Sequence, residues 1–315
     1  MKIVKRNGTI EQYCREKIAV AMQKSFLSAG STVDEGRLHA MVDAVEQWLQ
    51  ADASRCSVEQ IQDEVERVLM ENGFYDEAKR YILYRFQRTA MRDAVRQLAE
   101  RSGWPSIHDV LVRVQHDFSD ERYALTRLAE KFSAFCKPGM SAPERLKALT
   151  KAAVELTTQD APGWEYIAGR LVTFDIHERL RQVQEEHGWE SFYDKLCYLT
   201  GQELYGRYIL EHYSRDEINE AAAFMDAERD LLFNYSGIDL LQKRYLIVSR
   251  RGQLLESPQE MFLGIALHLA MPEERNRLDW VRRFYDMLSL LQVTLATPTL
   301  ANARKPYHQL SSCFI

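Results

Sequence analysis

Glycine and proline are scarce in this chain, 14 and 8 among 315 residues. Little of it is therefore punctuated for tight turns or irregular loops, and long helices are expected to dominate. No uninterrupted run of about 18 apolar residues occurs, so no membrane span and no membrane partner are expected, and the N-terminus lacks the apolar stretch of a secretory signal. The five cysteines (Cys14, Cys56, Cys136, Cys197 and Cys313) show neither CxxC nor Cys/His metal spacing. Their odd number argues against a disulfide framework, and a reducing cytoplasm is the expected compartment. Basic residues are not in excess either: Lys plus Arg number 41 against 46 Asp plus Glu, a net charge of −5. Without a global cationic field no nucleic-acid partner is expected, and any phosphate binding must come from locally placed cations.

What is present is 46% hydrophobic content in long amphipathic segments, enough for about two or three domains with real cores. Near the N-terminus, Lys2-Ile3-Val4-Lys5 alternates polar and apolar, Asn7-Gly8 offers the two positive-φ positions of a type I′ turn, and Thr9 to Tyr13 alternates back. From Arg15 the period becomes helical, with Ile18, Met22 and Phe26 on one face. A hairpin this short is not stable alone and must lie on neighbouring helices. Helices are expected over 15–27, 35–49, 58–70 and 75–99, the third opened by a capping box of Ser57 and Gln60. A break at Arg101-Ser-Gly-Trp-Pro-Ser closes this part.

A second helical block runs from about Asp120 to Tyr235. Beyond Tyr245, "YLIVSRRGQLLES" reads as a second hairpin turning at Arg250, Arg251 and Gly252. Ser257-Pro258 then opens a helix. "VTLATPTLANARKPYHQLSSCFI" reads as a β segment, a Thr-Pro turn, a polar loop and a second β segment. His177 and His308 read as solvated or core-satisfied side chains, and Asp226 and Glu228 as a solvated acidic face. Lys and Arg on a short hairpin commonly guard a sheet edge. Here they recur with Glu11 and Lys17 beside them and with Arg85 and Arg88 on the fourth helix, a set of cations suited to phosphate.

Taken in order, "VKRNGTIEQYCREKIAVAM", "SVEQIQDEVERVL" and "AKRYILYRFQR" resemble an ATP-cone, the allosteric nucleotide-binding module of ribonucleotide reductases, over about residues 1–96. The resemblance implies a β-hairpin on a four-helix bundle that binds ATP or dATP, with Mg2+ accompanying the nucleotide. It lays Lys5 and Arg6 on the basic pair before the turn. Glu11, Gln12, Tyr13, Cys14, Arg15, Glu16 and Lys17 fall on the segment that surrounds nucleotide, with Lys5 and Lys17 meeting phosphate and Ile18 near the base. Val58 and Ile61 would wall the base, and Arg88, with Arg85 beside it, stands for a late basic residue. Cys14 departs from the polar residue that other members often carry there.

The remainder is similar to the front of the large, catalytic subunit of class I (or class II-like) ribonucleotide reductases. "TTQDAPGWEYIAGRL", "FMDAERDLLFNYSGIDLLQKRYL", "ESPQEMFLGIALHLA", Thr297-Pro298 and Ser311-Ser312-Cys313 occur in the family's order. Gly264 stands where a basic residue is common. The likeness implies a mainly α fold with short hairpins: an ATP-cone over 1–100, a helical domain over 101–240 and, over 241–315, the first strands of an incomplete ten-stranded α/β barrel. It makes Cys313 a redox-active thiol beneath the substrate ribose and Thr297 and Ser312 substrate contacts. The second thiol, the radical-bearing cysteine and the specificity loops have no counterpart in these residues. A C-terminal polypeptide of the same subunit, a small subunit carrying the radical cofactor, and a homo-oligomer are the partners implied. Either a naturally split gene or a shortened polypeptide fits, and the chain alone is expected to be inactive. A free-standing ATP/dATP sensor without catalysis is the rival reading.

Overall fold

The computed structural model describes residues 2–5, 8–51 and 57–311. Among the described residues 68% are helical, and a two-stranded antiparallel hairpin stands at the start. Strands β1 (Lys2–Val4) and β2 (Ile10–Gln12) pair with Lys2 opposite Gln12 and Val4 opposite Ile10. Asn7 of the expected Asn7-Gly8 turn lies outside the described residues. Gly8 N–H donates to the Lys5 carbonyl at 2.9 Å and Lys5 N–H to Thr9 at 2.8 Å. Gly8 is in the left-handed region at φ +80°.

Four helices carry the hairpin: α1 (Arg15–Ala29), α2 (Glu35–Gln50), α3 (Val58–Glu71) and α4 (Tyr75–Ser102). Their ends obey local chemistry. Gly30 closes α1 at φ +71°, the Asp34 carboxylate accepts from Arg37 N–H at the start of α2, and Ser57 and Gln60 form the reciprocal box that opens α3. Val4 bridges to Ser57, which sets the hairpin against the start of α3. The helices bury Met22, Phe26, Val42, Val45, Leu49, Val65 and Leu69 in one core. By compactness the chain divides into Met1–Asp93 and Ala94–Ile315, inside α4.

The regular elements of the second unit are helices: α5 (Ile107–Asp117), α6 (Leu125–Phe135), α7 (Ala142–Val154), α8 (Trp164–His187), α9 (Phe192–Gly201), α10 (Arg207–His212), α11 (Arg215–Ala222), α12 (Tyr235–Arg244), α13 (Pro258–Leu269), α14 (Arg277–Ser289) and α15 (Thr297–Asn302). The long α8 serves two cores. One gathers Leu111, Phe132, Leu149 and Trp164, the other Ile176, Leu196, Met261 and Tyr285. Gly169 lets the chain before α12 touch α8, since a Cβ there would lie 2.6 Å from the Phe233 carbonyl oxygen.

Two segments depart from the sequence pattern. The hairpin expected after Tyr245 shrinks to one bridge, Val248 to Leu254, with Gly252 at φ +80° in its turn. The β segment expected before Thr297 is absent. Thr297-Pro298 instead opens α15, with proline in the first turn, where its missing N–H costs nothing. Apolar alternation makes a strand only where a neighbour completes the ladder, and residues 293–296 have none among the described residues.

The end of the described chain is anchored by a buried charge pair. Arg304 is fully buried, and its guanidinium grips both oxygens of the buried Glu256 carboxylate through Nε and Nη2. It also donates to the carbonyls of Leu300 (2.7 Å) and Tyr245 (2.8 Å), while Glu256 accepts from Ile247 N–H at 3.0 Å. Gly206 N–H in turn donates to the Arg304 carbonyl at 2.8 Å. This packing accounts for Gly264, because a Cβ there would lie 2.2 Å from Tyr205 Oη and 2.8 Å from Arg304 Cδ. Glu256→Ala should therefore cost about 3–5 kcal/mol in chemical denaturation, by stranding a buried cation, whereas Glu256→Leu with Arg304→Met should cost clearly less.

Candidate functional site

The hairpin, the start of α1, one face of α3 and α4 enclose a cavity of about 260 Å3. Lys5 follows β1, Glu11 and Gln12 belong to β2, and Tyr13 and Cys14 lead into α1, which contributes Lys17, Ile18 and Ala21. The polar end is a three-charge cluster. The Glu11 carboxylate pairs with the Lys5 ammonium and, at 3.5 Å, with the exposed Lys17 ammonium. Hydrogen bonding from Lys5, with help from Lys17, holds the Glu11 carboxyl below its ordinary value of 4.5. The N-terminus of α1, where Cys14 precedes the first turn without a side-chain cap, lies in the same wall and adds the positive end of a 15-residue helix. One carboxylate therefore holds two cations beside a helix start, an arrangement suited to a phosphate chain.

The opposite wall is apolar. Val58, Ile61 and Val65 present one stripe of α3, joined by Ile3, Ile18 and Tyr81. Burial, with the Glu66 carboxylate nearby, pushes the Tyr81 phenol up to about 12. Burial likewise raises Tyr13, whose ring also lines the cavity and faces Glu46. A flat, uncharged group between such walls would leave its charged end at Lys5 and Lys17.

Of the residues singled out in the sequence, Lys5, Glu11, Gln12, Tyr13, Cys14, Lys17, Ile18, Val58 and Ile61 line this one cavity. Others lie elsewhere. Arg15 reaches across to Asp43 and Glu46 on α2. Glu16 accepts from Cys14 Sγ at 3.1 Å and lines a neighbouring groove between α1 and α4. Arg85 is held on the outer row of α3 by Glu59, Asp63 and Glu66 at 2.6, 2.5 and 2.8 Å. Arg88 is exposed on α4 and is not in the lining. Arg6, Ser312 and Cys313 fall outside the described residues. Thr297 is exposed at the start of α15, its hydroxyl 3.3 Å from Tyr245 Oη.

Sequence reasoning missed Ile3, Ala21, Gln62, Val65 and Tyr81 as lining residues. Helical spacing from Val58 through Ile61 points to Gln62 and Val65, one and two turns on. Nothing comparable marks Tyr81, which comes from a helix distant in sequence.

Residues 1–90 match the ATP cone domain family, and residues 231–308 match the all-alpha domain of ribonucleotide reductase. Over its whole length the chain is 47% identical to the ribonucleoside-diphosphate reductase subunit alpha of Treponema pallidum, covering 38% of that protein. The chain belongs to the ribonucleotide reductase large-subunit family. It is also similar to the subunit alpha of Chlamydia muridarum, 29% identical over the whole chain and 33% of the relative. With that of Helicobacter pylori it shares 36% identity over 53% of the chain and 20% of the relative. The chain thus spans 38% and 33% of the length of the first two of these reductase subunits.

The charge cluster of this reductase ATP cone should be visible in solution. Because the folded Glu11 carboxyl lies below its unfolded value, its ion pairing is present above that value and fades as pH falls through the folded one. A carboxyl-detected NMR titration should find Glu11 protonating below the usual range, and Lys5→Ala should return most of the shift, since Lys5 is its leading cause.

Proposed function

We propose that this chain is the effector-binding front of a ribonucleoside-diphosphate reductase large subunit, binding ATP or dATP in the cone cavity as a regulator of overall activity. The observation that carries the reading is the convergence of Lys5, Lys17 and the α1 N-terminus on one side of a cavity whose other side is apolar. The phosphates occupy the cationic end, and the base lies against Val58, Ile61 and Ile18. Magnesium arrives bound to the phosphates: Glu11 is the carboxylate in the cavity, and it is already engaged by two lysines. Arg6, Gln12, Tyr13 and Cys14 belong to the same site in this reading, with Arg15, Glu16, Arg85 and Arg88 around it.

Residues 101–240 form the helical domain and residues 241–315 the opening of the catalytic barrel. Cys313 is one of two thiols that close a disulfide, releasing two electrons and two protons as the ribose hydroxyl leaves as water. Thr297 and Ser312 contact the substrate. The second thiol and the rest of the barrel come from a C-terminal polypeptide of the subunit, and the radical from a small subunit. Co-expression with both should then restore reduction of a ribonucleoside diphosphate, and a stable stoichiometric complex that stays inactive would sink this part of the proposal.

Effector binding is testable on the chain itself. In calorimetric titrations with ATP and with dATP, Lys5→Ala and Lys17→Ala should each weaken binding by about 1.5–3 kcal/mol, the scale of a charge-assisted contact. Arg85→Ala should change it far less, because that guanidinium is spent on three carboxylates of α3. Unchanged titrations in both lysine variants would overturn nucleotide binding in this cavity.

A further inference from the structure

A second cavity, of about 480 Å3, lies within the second unit among α7, α8, α12 and the turn around Gly252. Its size falls in the range of roughly 300–1,000 Å3 that small ligands fill. Its rim carries four cations, Lys147 and Lys151 one turn apart on α7, Arg179 on α8 and Lys243 on α12, against two carboxylates, Asp175 and Asp239. The cations are not equally occupied. Lys243 is paired with Asp239 at 2.7 Å, and Lys151 lies 3.8 Å from Glu155 and over the Phe135 ring. Arg179 spends Nη2 on Asp175 and on Gln242, both at 2.9 Å. Lys147 makes no ion pair among the described residues, and its field reaches Asp175 across the cavity mouth. Burial raises the Asp175 carboxyl even though Arg179 and Lys147 both act to lower it. Tyr235 lines the same space beside the apolar side chains of Val172 and Leu254.

A lysine near Asp175 and Glu144 but in no ion pair, an arginine whose Nη1 makes no hydrogen bond among the described residues, and an aromatic ring around one space make a combination that packing does not require. We propose that this cavity is an anion site for a phosphorylated small molecule with a ring, its phosphate between Lys147 and Arg179 and its ring against Tyr235. Asp175 is the group the phosphate competes with for Arg179. The inference is independent of the cone reading, since no residue is shared between the two cavities.

The test uses the whole chain carrying Lys17→Ala, so that binding at the cone does not obscure the result. Equilibrium dialysis with cytidine diphosphate and with pyrophosphate is the measurement. Cytidine diphosphate should bind, pyrophosphate more weakly, and Lys147→Glu should weaken both about tenfold or more, the effect of a lost charge-assisted contact. Asp175→Asn should tighten binding about threefold by removing the competing carboxylate, a gain that misfolding cannot produce. Absence of cytidine diphosphate binding overturns the proposal. So does an affinity unmoved by both substitutions, or pyrophosphate binding as tightly as the nucleotide.

Discussion

A guanidinium without access to water must find every partner inside the protein, and Arg304 does so. The carboxylate of Glu256, two main-chain carbonyls and the Gly206 N–H that binds its own carbonyl draw residues 206, 245–247, 256 and 300–304 to one point. In a low-dielectric interior such a pair is stable only when all its donors and acceptors are used, and removing one partner leaves an uncompensated charge. The constraint fixes more than its own atoms. It requires glycine at 264, places Tyr245 beside Thr297, and sets where the segment after α15 runs.

The nearby polar groups of the second unit follow the same logic on a smaller scale. Asp230 is buried and accepts from Gln259 at 2.7 Å while facing His177 Nε2 at 2.8 Å, and Tyr285 links Gln259 to the backbone of Asp226. Lys195, also buried, is held by Glu260, whose carboxylate caps α13 as well. Each network ties helices distant in sequence by satisfying groups that the core would otherwise penalise. In the first unit the design is reversed. Glu11, Lys5 and Lys17 line a cavity with their charged ends open to solvent, so their pairing is hydrated rather than sealed in a core.

Much of the fold was legible because it is built from local signals. Helix starts at Arg15, Glu35, Val58 and Tyr75 follow from period and capping, and Ser57-Gln60 is a reciprocal cap in the structure as in the sequence. The hairpin was legible as a hairpin, because alternation on both sides of Gly8 marks two short strands that pair antiparallel. The residues before Thr297 misled, because alternation reports an apolar face and not the neighbour a strand needs. His177 was readable as satisfied, yet its partner Asp230 lay in the same acidic run as the solvated Asp226 and Glu228, and burial alone separates them.

The amino-acid order by itself determined the helices, their caps, the hairpin and the identity of the cations near Glu11, since these depend on neighbours within a few positions. Only the tertiary structure decided which cations share a cavity. Arg15 and Arg85 look like Lys5 and Lys17 in the sequence, but carboxylates on α2 and α3 hold them elsewhere. The reason is physical: a charge goes to whichever opposite charge the packed helices bring within reach, and that distance is not written in the spacing along the chain.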